Sequence, residues 1–247
     1  ADKLRKYFPR SYTPQKMEET ILKLLAIDIS GSMASFSKNV REAVMTYLQK
    51  MADMNADAVD VRYKVKLLFF HDDVHEHSPE FLDPGQLLEV LTEKDFVCGG
   101  GTHIGELYRT LDRVFSRQGL MGSIDRGDPL PMFLAVSDLL ETDSSAMESA
   151  SRDLYDNRYF QGTKRLVVFV GPEERRAAAV KLAGGEDHVM AMNGALTEQL
   201  LAPVMMGSTL MMADATHLSG QKSSPKVIAD DAARRSQEGQ EDAEQLK

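Results

Sequence analysis

Hydrophobic positions along this chain fall into two alternating rhythms. Short, nearly continuous apolar runs occur at Leu22–Asp28, Val61–Phe70, Met132–Ser137, Arg165–Val170 and His188–Met192. Runs of this length, rich in Val, Ile, Leu and Phe, predict strands buried on both faces. Between them apolar residues recur every three or four positions. Ser37–Met54 places Val40, Val44, Tyr47, Leu48 and Met51 on one helical face. Further helices are predicted over Pro84–Leu91, His103 to about Arg117, Ser145–Tyr159, Glu173–Ala183 and Leu196–Met206. Pro84 sits near its helix's first turn, and Gly184-Gly185 closes the helix that ends at Ala183. Val74–His77 reads as a short edge strand, Cys98–Gly101 as a glycine-rich loop, and Leu120–Pro131 as a surface loop. Strands separated by helices require crossover connections. The expected fold is therefore α/β and doubly wound, with a mainly parallel central sheet, helices on both faces and one short antiparallel edge strand.

The flanks break this pattern. Residues 1–20 form a basic arm with Tyr7, Phe8 and Tyr12 interspersed and Pro9 and Pro14 preventing a long helix. Residues 213–247 form a polar tail, most strongly so from about Ser219. The expected domain thus spans 21–212, ample for one full core.

Composition narrows the function. A net charge of −9 argues against general binding to nucleic acid or anionic membranes. A single cysteine, Cys98, excludes an internal disulfide and a cysteine-based zinc cluster. No apolar run approaches a membrane span, and Ala1–Lys6 carries no secretory apolar segment. The expectation is a cytoplasmic protein.

The informative chemistry begins where the first strand runs out, at Asp28-Ile29-Ser30-Gly31-Ser32. One carboxylate and two hydroxyls at alternate positions are hard oxygen donors, suited to Mg²⁺ or Mn²⁺ and poor for zinc or copper. In open parallel sheets, ligands bind beyond the carboxyl ends of the strands. Two more donors belong to that end: Thr102, presented by Gly99-Gly100-Gly101, and Asp138, directly after the strand ending at Ser137. Taken singly, Thr102 could be a helix N-cap and Asp138 a polar strand terminus.

Together, Asp28, Ser30, Ser32, Thr102 and Asp138 resemble the metal-ion-dependent adhesion site (MIDAS) of von Willebrand factor A (VWA) domains. That family's pattern is Asp-x-Ser-x-Ser at the first strand, a Thr in a distant loop and an Asp after the fourth strand. The resemblance covers roughly residues 20–210. Leu139 departs from it, since many members have Gly after the aspartate; a small change of loop backbone is expected. Within the family the chain looks most like small stand-alone bacterial members associated with tellurite resistance and stress operons. The resemblance implies that Ser30, Ser32 and Thr102 are hydroxyl ligands, with Asp28 and Asp138 acting largely through water. The implied ion is Mg²⁺, with Mn²⁺ or Ca²⁺ as alternatives. The implied function is not catalytic: the ion accepts an Asp or Glu from a protein partner, with kinase-, phosphatase- or ATPase-like proteins as partner classes.

Other readings compete. Asp28-x-Ser30-Gly31-Ser32 also resembles the haloacid-dehalogenase phosphatase loop, with Asp28 as nucleophile. Ser30, however, stands where that chemistry needs an acid, and Asp72-Asp73 come too early to be its metal pair. A scaffold with an empty site is a third alternative. Cys98 near His103 could be a nucleophile, although lone cysteines are commonly small core residues. His71, His75 and His77 with Asp72, Asp73 and Glu76 could bind a transition metal or simply form a polar sheet edge. Most of the 14 methionines, including Met45, Met51 and Met54, fit core packing. Met205, Met206, Met211 and Met212 could also offer an adaptable contact surface.

Overall fold

A computed structural model describes residues 19–57, 61–121, 123–124, 129–142, 147–192 and residue 205. Six strands form one sheet: β1 (Glu19–Asp28), β2 (Val61–Phe70), β3 (Val74–Glu76), β4 (Met132–Ser137), β5 (Arg165–Phe169) and β6 (Val189–Ala191). Their order is β3-β2-β1-β4-β5-β6, parallel throughout except for the antiparallel β2–β3 pair at one edge. The helices are α1 (Ser37–Asp57), α2 (Pro84–Val90), α3 (Ile104–Val114), α4 (Arg117–Leu120), α5 (Met147–Asp156), α6 (Arg158–Gly162) and α7 (Arg176–Ala183). The doubly wound α/β architecture is the expected one.

Alternation along β1 splits the core in two. Ile21, Leu25 and Ile27 join one cluster with Val40, Val44, Tyr47 and Met51 of α1 and Leu87 of α2. Leu22, Leu24 and Ala26 join the other, with Leu107 and Leu111 of α3, Leu154 of α5, Phe160 of α6 and Leu182 of α7. Met33, Met51, Met132, Met190, Met192 and Met205 are buried, so the methionines within the described residues serve largely as core. Met206, Met211 and Met212, residues 1–18 of the expected arm, the expected tail at 213–247 and nearly all of the expected helix Leu196–Met206 lie outside the described residues, while Glu19 and Thr20, expected in the arm, begin β1.

Some elements differ from expectation, each for a local reason. The stretch Ser145–Tyr159 does not form one helix. It breaks at Asn157, whose side chain accepts from Tyr159 N and Phe160 N and so caps a new helix, α6. The helix expected to run to Arg117 ends at Val114, and Ser116 caps α4 by accepting from Gly119 N. Short 3₁₀ turns at Gly31–Phe36, Glu93–Phe96, Glu173–Arg175 and Glu186–His188 carry no periodicity that sequence inspection could detect. No helix of the described residues is long and apolar enough to cross a membrane.

The strand order reverses direction between β1 and β4. The loops leaving these neighbours diverge to opposite faces of the sheet and leave a crevice at their carboxyl ends. Asp28 and Asp138 stand there.

Candidate metal centre

β1 delivers Asp28 as its last residue, 1% exposed. Pairing of Ile27 with Val136 sets Ser137 beside Asp28 across the strands. The Ser137 hydroxyl donates a short hydrogen bond to Asp28 Oδ2, and Ser30 N donates to Oδ1 at 2.9 Å. Both carboxylate oxygens therefore brace the loop. Burial pushes the Asp28 carboxyl above its ordinary range. The bonds from Ser137 and Ser30 pull it back in part, and the charge of Asp138 pushes it up again.

The chain then turns into the 3₁₀ segment Gly31–Phe36, anchored by buried Met33. This turn sets Ser30 Oγ 3.1 Å from Ser32 Oγ. Ser30 is buried and Ser32 exposed, so the hydroxyl pair runs from the floor of the crevice to solvent.

The glycine-rich loop is tied to this turn by backbone bonds: Gly99 N to Ile29 O at 2.9 Å and Gly31 N to Gly100 O at 3.1 Å. Gly100 has φ +72°, and a Cβ there would collide with the carboxylate of Asp72, so glycine is required. Asp72 Oδ1 accepts from Gly101 N at 2.7 Å. Buried Thr102 is clasped by Thr142, whose Oγ1 accepts from Thr102 N at 2.8 Å and whose N donates to Thr102 O at 3.0 Å. Thr102 is not the N-cap of α3. That position is His103, and Glu141 Oε2 instead satisfies Ile104 N at 3.0 Å.

Asp138 follows β4 and is also buried. Its Oδ1 accepts from Leu140 N at 3.1 Å, and its Oδ2 faces Arg175 Nη2 at 3.4 Å. Leu139, with φ +50°, is the only described non-glycine residue at positive φ. The loop thus keeps the backbone that a glycine would favour, and Leu139 carries it with its side chain buried. Leu139 N is held by Ser137 Oγ at 2.8 Å.

The structure brings Ser30 and Ser32 into direct contact and sets Asp28 and Asp138 at adjoining strand ends. It joins the loop of Thr102 to the serine turn through Gly99 and Gly100. Sequence inspection missed Ser137, Thr142, Glu141, Asp72 as a loop brace, and Arg175. Only Ser137 carried a signal, its place opposite Asp28 at the end of the adjacent strand.

Three hydroxyls and two carboxylates fit a hard divalent cation. The histidine alternative fares differently. Among the described residues no three His, Cys, Asp or Glu side chains cluster to hold an ion. His75 and His77 instead pack edge-on, ring centroids 6.1 Å apart, at the sheet edge. Burial raises the Cys98 thiol above its ordinary range, which disfavours the thiolate a nucleophile needs.

No protein-family model and no curated protein sequence matches the chain. Solved structures do. Proximal thread matrix protein 1 from the mussel byssus superposes with a TM-score of 0.53 at 15% identity, over 75% of this chain and 47% of that one. A second structure of that protein, with a zinc-occupied MIDAS motif, gives 0.53 at 14% identity over the same shares. The pilus adhesin SpaC from Lactobacillus rhamnosus GG gives 0.55 at 13% identity, over 74% of this chain and 29% of the adhesin. This chain therefore spans about half of the byssus protein and less than a third of the adhesin. The SpRpn10 VWA domain gives 0.50 at 12% identity, over 74% of this chain and 92% of that domain. With the sheet order and helix layers described above, these likenesses make the fold that of a von Willebrand factor A domain.

Proposed function

We propose that the chain is a divalent-cation-dependent protein-recognition module whose metal centre is formed by Asp28, Ser30, Ser32, Thr102 and Asp138. The observation that carries this reading is the hydroxyl pair Ser30–Ser32, 3.1 Å apart at the topological switch point and flanked by two buried carboxylates. The zinc-occupied MIDAS of the byssus protein, on the same fold, supports it. In this reading Ser30, Ser32 and Thr102 supply neutral oxygens, while Asp28 and Asp138 position the loops and accept from water. A bound Mg²⁺ supplies an open coordination position and a residual positive field, to which a partner's Asp or Glu is drawn. Exposed Ser32 sets that position at the surface, where a partner can reach it.

Phosphatase chemistry is less well supported. A nucleophilic Asp28 must meet substrate, yet its carboxylate is buried and both oxygens are engaged. The bacterial stress-operon setting and the kinase-, phosphatase- or ATPase-like partners rest on the sequence resemblance alone.

The test is affinity capture on the immobilised chain in Mg²⁺ and in excess EDTA, beside Asp28→Ala. The reading predicts partners held only in Mg²⁺ and only by the unaltered chain. Capture undiminished by EDTA would contradict it, as would turnover of a simple phosphate ester lost in Asp28→Ala.

A further inference from the structure

Arg175 is the described residue beside the centre whose bonding is least complete. It ends the 3₁₀ turn Glu173–Arg175 after β5 and reaches back to Asp138. Its Nη2 lies 3.4 Å from Asp138 Oδ2, a long contact for an ion pair. Its Nε and Nη1 are buried and have no hydrogen-bond partner among the described residues. Burying N–H donors without acceptors costs free energy, which a guanidinium placed elsewhere would avoid. The Arg175 side chain is nevertheless 25% exposed, so water is a short movement away. Asp138, by contrast, is 7% exposed at its side chain and stands near a second carboxylate, Asp28. Two buried like charges need a counter-charge. In the described structure Arg175 is the cation in contact with either of them.

We propose that Arg175 is a built-in counter-ion of the centre, balancing Asp138 when no divalent ion is bound and giving that contact up on ion binding. This rests on the metal-centre reading above. The pairing is weak by construction: one long contact forms and two donors stay unsatisfied. Exchange of Arg175 for a divalent ion therefore restores hydration to the guanidinium while keeping Asp138 neutralised. The residue tunes the affinity of the site and keeps the empty crevice from being destabilised by its own carboxylates. It touches neither serine in the described contacts, so it acts as a positioning residue through Asp138.

The experiment is calorimetric titration of Mg²⁺ into the full chain and into Arg175→Gln and Arg175→Lys, with urea unfolding of each in EDTA and in Mg²⁺. Arg175→Gln is expected to bind Mg²⁺ roughly fivefold more tightly, the scale of one partly exposed ion pair. It should also unfold earlier than the unaltered chain in EDTA but not in Mg²⁺. Arg175→Lys, which keeps the charge, should behave as the unaltered chain. If the unaltered chain binds Mg²⁺ and Arg175→Gln binds it equally or more weakly, the counter-ion role is overturned while the metal centre stands. The role is also overturned if Arg175→Lys tightens binding as much as Arg175→Gln. If the unaltered chain binds no divalent ion, the metal centre and the counter-ion role fall together.

Discussion

β1 buries two charged side chains, Lys23 in its first half and Asp28 at its end, and the two are treated in opposite ways. Asp28 has both oxygens hydrogen-bonded, two strand ends around it and loops converging on it. Lys23 is 2% exposed on the face that carries Ile21, Leu25 and Ile27. Its ammonium points at Met132 Sδ, with the Tyr63 ring 5.8 Å away. Burial, with repulsion from Lys164, lowers it from 10.5 to about 7. A charge buried at the carboxyl end of a parallel sheet marks a site; the same burial inside the apolar layer imposes a stability cost.

The largest expected effect tests the Lys23 side of this contrast. The folded chain releases the Lys23 proton near pH 7 and the unfolded chain near 10.5. Between these values the unfolded chain holds the extra proton, so stability rises with pH, by up to about 5 kcal/mol. Urea unfolding across that range should show the rise, and Lys23→Met should flatten it.

At the other end of β1, Ser137→Ala removes the hydroxyl that donates to Asp28 and accepts from Leu139 N. A loss of about 1–2 kcal/mol is expected in urea unfolding, with weakened Mg²⁺ binding by calorimetry. Asp28→Asn sharpens the comparison further. The folded Asp28 carboxyl lies above its unfolded value. Above the ordinary carboxylate value the folded state thus holds the extra proton, and the unaltered chain loses stability as pH rises through the folded value. In EDTA the asparagine variant should lack that loss and be no less stable near neutrality, yet lose the stabilisation that Mg²⁺ gives. The smallest effect belongs to Ser32→Ala: among the described residues, exposed Ser32 makes one side-chain bond, to Ser30. Stability should change by less than about 0.5 kcal/mol, while Mg²⁺ affinity falls.

The same contrast explains what could be read in the sequence. The strands were legible because they are buried on both faces, giving continuous apolar runs such as Leu67–Phe70. The first and fourth strand ends were legible because oxygen donors interrupt those runs at Asp28 and Asp138. Lys23 was visible only as a lone charge in an apolar run; its near-complete burial depends on packing from Tyr63 and Met132. The braces of the site were hidden for a similar reason. Thr142 meets Thr102 across 40 positions, Asp72 meets Gly101 across 29 and Arg175 meets Asp138 across 37. No local periodicity encodes such pairings. The break of one expected helix at Asn157 was concealed because apolar spacing continues through Phe160, and only the cap marks the new start.

Titration of Mg²⁺, Mn²⁺ and Zn²⁺ into the full chain by calorimetry tests the central claim most directly, with Asp138→Ala and Ser30→Ala in parallel. The account predicts one divalent ion per chain, bound by the unaltered protein and lost from both variants, each still showing a cooperative unfolding transition. No heat of binding for any of the three ions, or equal binding by chains lacking Ser30 or Asp138, would contradict it.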